Sequence, residues 1–175
     1  MIKNSFNLGI TKSYLTRVGE GPFPTEQSNN IGEQLGTLGN EFGTVTGRKR
    51  RCGWLDLVLL KQSVIISGLK GLALTKLDVL DSFDKIKVCT SYKYNNKSYN
   101  YLPLDLDEIN QLSTEYIELN GWKEKTRNKR DFSELPLNAK KYISFIEEFV
   151  GVPVTLLSTS PEREDTILFH DPFES

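Results

Sequence analysis

The densest chemistry in the chain lies at residues 43–56, GTVTGRKRRCGWLD. Gly43 and Gly47 let backbone amides come close to a ligand. Thr46 adds a hydroxyl, and Arg48, Lys49, Arg50 and Arg51 add forked or point positive charge. Phosphates and carboxylates are bound by groups of this kind. A run of basic residues also occurs as a solvated or nuclear-targeting stretch. Here the run stands between glycines and abuts an apolar segment, which favours an anion site.

A second candidate is residues 74–81, LTKLDVLD. A strand ending in Lys-Leu-Asp sets Lys76 and Asp78 on one face. A carboxylate there can accept two hydrogen bonds from the N1–H and 2-amino group of guanine. Adenine offers no such pair, so a buried carboxylate would discriminate strongly. The Lys stem can lie along a base plane while its ammonium stays hydrated. Taken alone, the same residues also read as an ordinary surface Lys–Asp pair. Two further loops hold polar groups or fixed turns. RVGEGPFPTE at 17–26 has prolines that fix φ and glycines that permit unusual turns. STSPER at 158–163 offers hydroxyls to a polar ligand. Each by itself also reads as a connecting turn.

These segments need elements to hold them. The chain of 175 residues fits one domain, with 38% hydrophobic and 26% charged residues, the composition of a globular protein. Its net charge of -1 and pI near 5.9 give no overall pull toward nucleic acid or anionic membrane. The basic run lacks interleaved aromatics, which also argues against nucleic acid. No secretory signal or membrane span is legible, so a soluble, cytoplasmic protein is expected. Cys52 and Cys89 form no CxxC pair and read as buried thiols, with a disulfide as the alternative. The single histidine, His170, excludes a His cluster for zinc and reads as a strand-end residue.

Periodicity predicts a strand at 11–17 and a short helix at 25–38 ended by Gly39. A loop at 41–53 leads into a largely buried helix at 54–69. A buried strand follows at 72–77, then a half-exposed strand at 85–91 paired with 98–102, and a strand at 114–119. A helix at 138–150 is capped by Gly151 and blocked by Pro153, and a strand at 154–157 runs into STSPERE. Strands and helices alternate, so the fold class is α/β. Ligands in such folds sit at the carboxyl ends of strands.

RVGEGPFPTE, NEFGTVTGRKRRCGWLD, LTKLDVLD, the Gly121-Trp122 pair, GVPV and STSPERE together resemble the adenylosuccinate synthetase family, in its order and spacing. The similarity runs from about residue 9 to 175. It implies the C-terminal part of that fold, a phosphate-loop-NTPase-like, GTP-binding mixed sheet with flanking helices and a small antiparallel hairpin. Residues 1–8 are an atypical start, and 1–175 is read as a single segment. The implied reaction joins IMP and L-aspartate at the expense of GTP, giving adenylosuccinate, GDP and phosphate. Magnesium is expected for the full enzyme, with ligands outside this chain.

The same resemblance assigns Thr44, Val45, Thr46, Gly47, Arg48, Lys49 and Arg50 to an aspartate-binding loop. Thr46 and Arg50 would hold the substrate carboxylates, Arg48 and Val18 would meet IMP, and Arg50 would also stabilise charge near the GTP phosphates. Lys76, Leu77 and Asp78 match the guanine-recognition stretch, and Ser158, Thr159 and Ser160 match the loop on the other side of the base. Val45 stands where the family usually has Thr, and Ser160 where it usually has Gly. The family's N-terminal phosphate loop, catalytic Asp and catalytic His have no counterpart here, and no GxxxxGK[ST] occurs. The chain is therefore expected to be inactive alone, to need an N-terminal half, and to form a homodimer when complete. The alternative is a non-catalytic remnant that binds a guanine nucleotide or a protein partner.

Overall fold

Three short apolar runs become the parallel strands of one sheet: β1 (Leu8–Lys12), β5 (Gly71–Thr75) and β9 (Val154–Ser158), in the order β1-β5-β9. A fourth strand, β10 (Thr166–Leu168), closes the order by pairing antiparallel to β9. The computed structural model describes residues 6–103, 109 and 111–169; His170 lies outside them. Two compact units emerge. One comprises the described residues of 1–13, 60–84 and 120–175, and the other those of 14–59 and 85–119.

In the first unit β5 is buried along most of its length, as expected of a strand covered on both faces. Helix α3 (Leu137–Val150) buries Ala139, Tyr142, Ile143, Ile146 and Val150 at helical spacing. Gly151 ends it at φ 81°, its N–H donating to Glu147 O. Truncating Ile146 to Ala would cost about 3 kcal/mol at such a site. The Tyr142 hydroxyl donates to Ser13 O at 2.6 Å and so pins the chain just beyond β1. Ser13 in turn donates through both N and Oγ to Thr75 O, at 2.9 and 3.0 Å.

The second unit holds two small sheets. In one, β2 (Leu15–Arg17) pairs antiparallel with β3 (Arg51–Gly53), against which α1 (Asn30–Leu38) packs. In the other, β4 (Leu55–Asp56), β6 (Lys85–Tyr94) and β7 (Lys97–Tyr99) lie in order, with β8 (Ser113–Asn120) also on β6. The β6–β7 hairpin turns on Asn95 and Asn96, both left-handed at φ 48° and 60°, the conformation of a two-residue primed turn. Cys52 and Cys89 are free and buried.

Several expected boundaries move. The strand expected at 11–17 is two strands in different sheets, because Ser13 and Tyr14 bend the chain between them. Helix α1 begins only at Asn30, where the Asn29 side chain accepts from Ile31 N and Gly32 N. The helix expected at 54–69 is α2 (Leu57–Ser67), preceded by β4. Asp56 stops the strand and starts the helix by accepting from Leu59 N at 3.1 Å. The helix is buried at its start and again at Val64, while Ile65 and Ile66 are 71% and 75% exposed. An unbroken apolar run gives no face to read, so burial of each turn is invisible in it.

Candidate functional site

The sheet of the first unit sets up one candidate cluster. Strands β5 and β9 are parallel neighbours, so the segments after them leave the sheet at one edge. These segments are Lys76–Leu77–Asp78 and Ser158–Thr159–Ser160. The strand-alternation argument for Lys76 and Asp78 fails, because β5 ends at Thr75. Lys76 is left-handed (φ 59°, ψ 37°), and a single 3₁₀ turn, Leu77–Leu80, follows. A left-handed Lys costs about 1–2 kcal/mol, strain that gathers at functional sites. The turn buries Leu77 completely, which leaves only its main chain for a ligand. It keeps Asp78 half-buried at the surface.

Desolvation, and then the nearby Asp81 carboxylate, raise the Asp78 carboxyl above its usual range; Arg127 and Lys76 offset part of this. Among the described residues no other side chain hydrogen-bonds to it. Asp81 differs completely. It accepts from Trp122 Nε1 at 2.8 Å, Thr126 N at 2.8 Å and Thr126 Oγ1 at 2.7 Å. It thereby ties the segment at 121–126 to the turn after β5. Gly121 fits there because it has no Cβ: one would lie 1.7 Å from Phe83 O. Its N–H donates to Asp84 O at 2.8 Å.

The segment after β9 is also held from within. Thr159 is fully buried, its hydroxyl 2.8 Å from Lys129 O and its N–H on Asp165 O. The hydroxyl of Ser160 donates to Asp165 Oδ2 at 2.7 Å, and Arg130 Nε donates to Asp165 Oδ1 at 2.9 Å. The Ser160 bond and then Arg130 hold the Asp165 carboxyl below its usual range. The hydroxyl that distinguishes Ser160 from glycine is thus satisfied inside the loop. Only Ser158, whose Oγ donates to Ser160 O at 2.8 Å, keeps a half-buried hydroxyl able to accept from a ligand.

The second unit carries the other cluster. Residues 43–48 close on themselves through Gly47 N to Gly43 O and Gly43 N to Arg48 O, both 2.8 Å. Gly47 sits at φ 64°, where glycine is favoured. Thr46 Oγ1 accepts from Arg48 N at 3.3 Å. The tip is open: Thr44, Val45, Thr46, Gly47, Arg48 and Lys49 are exposed, Val45 by 97%. The loop enters β3 rather than running directly toward the helix.

The four basic residues do not act alike. Arg51 turns away from the loop and braces the 17–26 segment. It pairs with Glu26, donates to Gly19 O and Gly21 O at 3.2 and 2.8 Å, and lies over the Phe23 ring. Its bonds shape the turn that presents Val18, which is 72% exposed. Lys49 stands 3.9 Å from Glu33. Among the described residues the Arg48 guanidinium makes no ion pair. Arg50 donates Nη1 to Glu41 Oε2 at 2.8 Å, while its buried Nε has no partner. Lys49 and Arg50 line a cleft of about 460 Å³ beside the N-terminus of α1. That helix end adds partial positive charge to the basic side chains.

The adenylosuccinate synthetase family model matches residues 2–167. This chain belongs to the adenylosuccinate synthetase family. Its fold is similar to a solved structure of fully ligated adenylosuccinate synthetase from Plasmodium falciparum, with a TM-score of 0.90 and 38% identity. The match covers 94% of this chain and 40% of that one, so the chain spans well under half the length of this synthetase. Among the described residues of this synthetase-family chain, no three His, Cys, Asp or Glu side chains gather to hold a metal ion. No described helix is long and apolar enough to cross a membrane.

Proposed function

We propose that this chain supplies the guanine-reading and aspartate-binding parts of a GTP-dependent adenylosuccinate synthetase. The observation that carries the reading is the shared edge of β5 and β9, where strained Lys76 and Asp78, which no other described side chain hydrogen-bonds, follow β5 and the 158–160 segment follows β9. In this reading Asp78 accepts from the N1–H and 2-amino group of the base, and the Lys76 stem lies along its plane. The main chain of Leu77 and the Ser158 hydroxyl complete the contacts. Thr159 and Ser160 contribute by shape and main chain.

In the second unit Thr46 and Arg50 hold the carboxylates of L-aspartate within the 44–50 loop, and Arg48 and the Val18 main chain meet IMP. The Thr44 hydroxyl is a further donor at the tip, Gly47 shapes the turn by closing it onto Gly43 O, and Lys49 adds a point charge. The reaction these groups serve places the γ-phosphoryl group of GTP on the 6-oxygen of IMP, and the aspartate amine then displaces phosphate. Positioned cations such as Arg50 stabilise the charge spread over the transferring group. Magnesium would be held by residues other than those assigned here. Turnover belongs to the completed enzyme, a homodimer in the cytoplasm. By itself the chain binds guanine nucleotide without completing the ligation.

Calorimetric titration with GDP and ADP, repeated on Asp78→Ala, tests the guanine site. Binding of GDP but not ADP, lost in the variant, is expected. Equal binding of both nucleotides, or GDP binding that survives the substitution, sinks the assignment.

A further inference from the structure

Glu41 is fully buried, and a carboxylate is costly there unless it is paired. Its two oxygens are both used. The hydroxyl of Tyr14, itself fully buried, donates to Oε1 at 2.7 Å, and Arg50 Nη1 donates to Oε2 at 2.8 Å. The same two residues are joined through the main chain, Arg50 N donating to Glu41 O at 2.9 Å. Glu41 thus grips Arg50 at both ends. Its own N–H is fixed to Gly36 O at 2.8 Å.

Gly39 makes the arrangement possible. Its φ of -80° would suit any residue, so conformation does not require glycine. Space does: a Cβ there would fall 2.0 Å from the Tyr14 hydroxyl oxygen. Tyr14 and Arg50, far apart in sequence, therefore meet at the Glu41 carboxylate, with Arg50 on its outer face. About a third of the Arg50 side chain, 32%, stays exposed, and the residue lines the cleft beside α1.

We infer that Tyr14 and Glu41 are positioning residues, a clamp that aims Arg50 into this cleft. The inference rests on the proposed role of Arg50 toward an anionic substrate. It makes a prediction that a plain ion pair does not. Replacing Glu41 by Gln removes a negative charge beside Arg50, so a mere counter-charge would give tighter anion binding. A clamp gives weaker binding, because a guanidinium held in place loses less freedom when the ligand arrives.

The test has two arms on the whole chain. In the first, the Arg50 side-chain N–H resonances of isotope-labelled protein, assigned by their loss in Arg50→Lys, are followed in Tyr14→Phe and Glu41→Gln. Separate, slowly rotating signals are expected in the parent chain, and averaged ones in both variants. Unchanged Arg50 signals in the folded variants would overturn the clamp. In the second arm, L-aspartate is titrated by calorimetry. About tenfold weaker binding is expected for Glu41→Gln and about threefold for Tyr14→Phe, the scale of losing a charged and a neutral hydrogen bond. Tighter binding by Glu41→Gln overturns the inference. A parent chain that shows the ordered Arg50 signals but takes up no L-aspartate refutes the ligand assigned to Arg50, while loosened signals in the variants still support the clamp.

Discussion

The guanine-side cluster and the aspartate-side cluster are built on opposite plans. Around Asp78 the loops are closed by internal bonds: Asp81 takes three, Asp165 takes two side-chain bonds, and Thr159 is buried between segments. Around Arg50 the loop tip is exposed, and its order rests on a few backbone bonds and one buried carboxylate. Under the proposed function the difference suits two tasks. Telling guanine from adenine needs a carboxylate fixed in advance, because a group that can move away from an unmatched base loses its selectivity. Gripping a small, highly charged substrate tolerates an open loop, because strong charge-assisted bonds can order it on arrival.

The contrast is most easily broken at Asp81. Asp81→Ala leaves the Trp122 N–H and both Thr126 donors without their acceptor, and should cost about 4 kcal/mol of stability. Denaturant unfolding measures it, and a loss below about 1 kcal/mol would mean the guanine-side loops are held by something else. On the other side, the brace of Arg51 is smaller and partly exposed. Arg51→Lys loses its fork toward Glu26 and its reach to two carbonyls, and should cost about 1 kcal/mol.

That pair also sets a pH dependence. The hydrogen bond from Arg51 holds the Glu26 carboxyl below its usual range, against the opposing effect of burial. A depressed folded value means the stabilisation is complete above the unfolded value, about 4.5, and is lost as pH falls through the folded one. Glu26→Gln should therefore flatten the stability curve below that point and leave its shape near neutrality unchanged. An unaltered acid limb would remove the pair from the account.

The smallest effect belongs to Val45. At 97% exposure, Val45→Thr should change stability by less than about 0.5 kcal/mol. If the tip gains order from its ligand, the added hydroxyl should strengthen L-aspartate binding in the same calorimetric assay. Unchanged affinity would place Val45 outside the contact.

Local chemistry marks the candidate segments in the sequence, and tertiary contacts set how each is held. Gly151, Pro153 and the spacing of Ala139, Tyr142, Ile143 and Ile146 made α3 legible because cap, breaker and apolar face agree. The loop at 43–50 was legible from its glycines and charges. Arg51 was not separable from Arg48, Lys49 and Arg50, since its partners Glu26, Gly19 and Gly21 come from a distant turn. Asp81 and Asp78 look alike in the sequence, and only the distant Trp122 and Thr126 single out Asp81 as a structural acceptor. The repeated Leu-Asp of LTKLDVLD and the nearby Gly-Trp pair were the available signals. The left-handed Lys76 had none, for no residue type announces strain that its neighbours impose.

The close seat of Gly121 reaches into a different property, chemical ageing. Asn120 precedes it, and an Asn-Gly step is the one most prone to deamidate, because the glycine amide nitrogen can swing round to attack the asparagine side chain. Here that nitrogen donates to Asp84 O, and Phe83 O crowds the position where any side chain would stand. The swing needed to form the succinimide is blocked while the fold lasts. Loss of the brace at Asp81 would thus open Asn120 to conversion into aspartate or isoaspartate as well as loosen the structure.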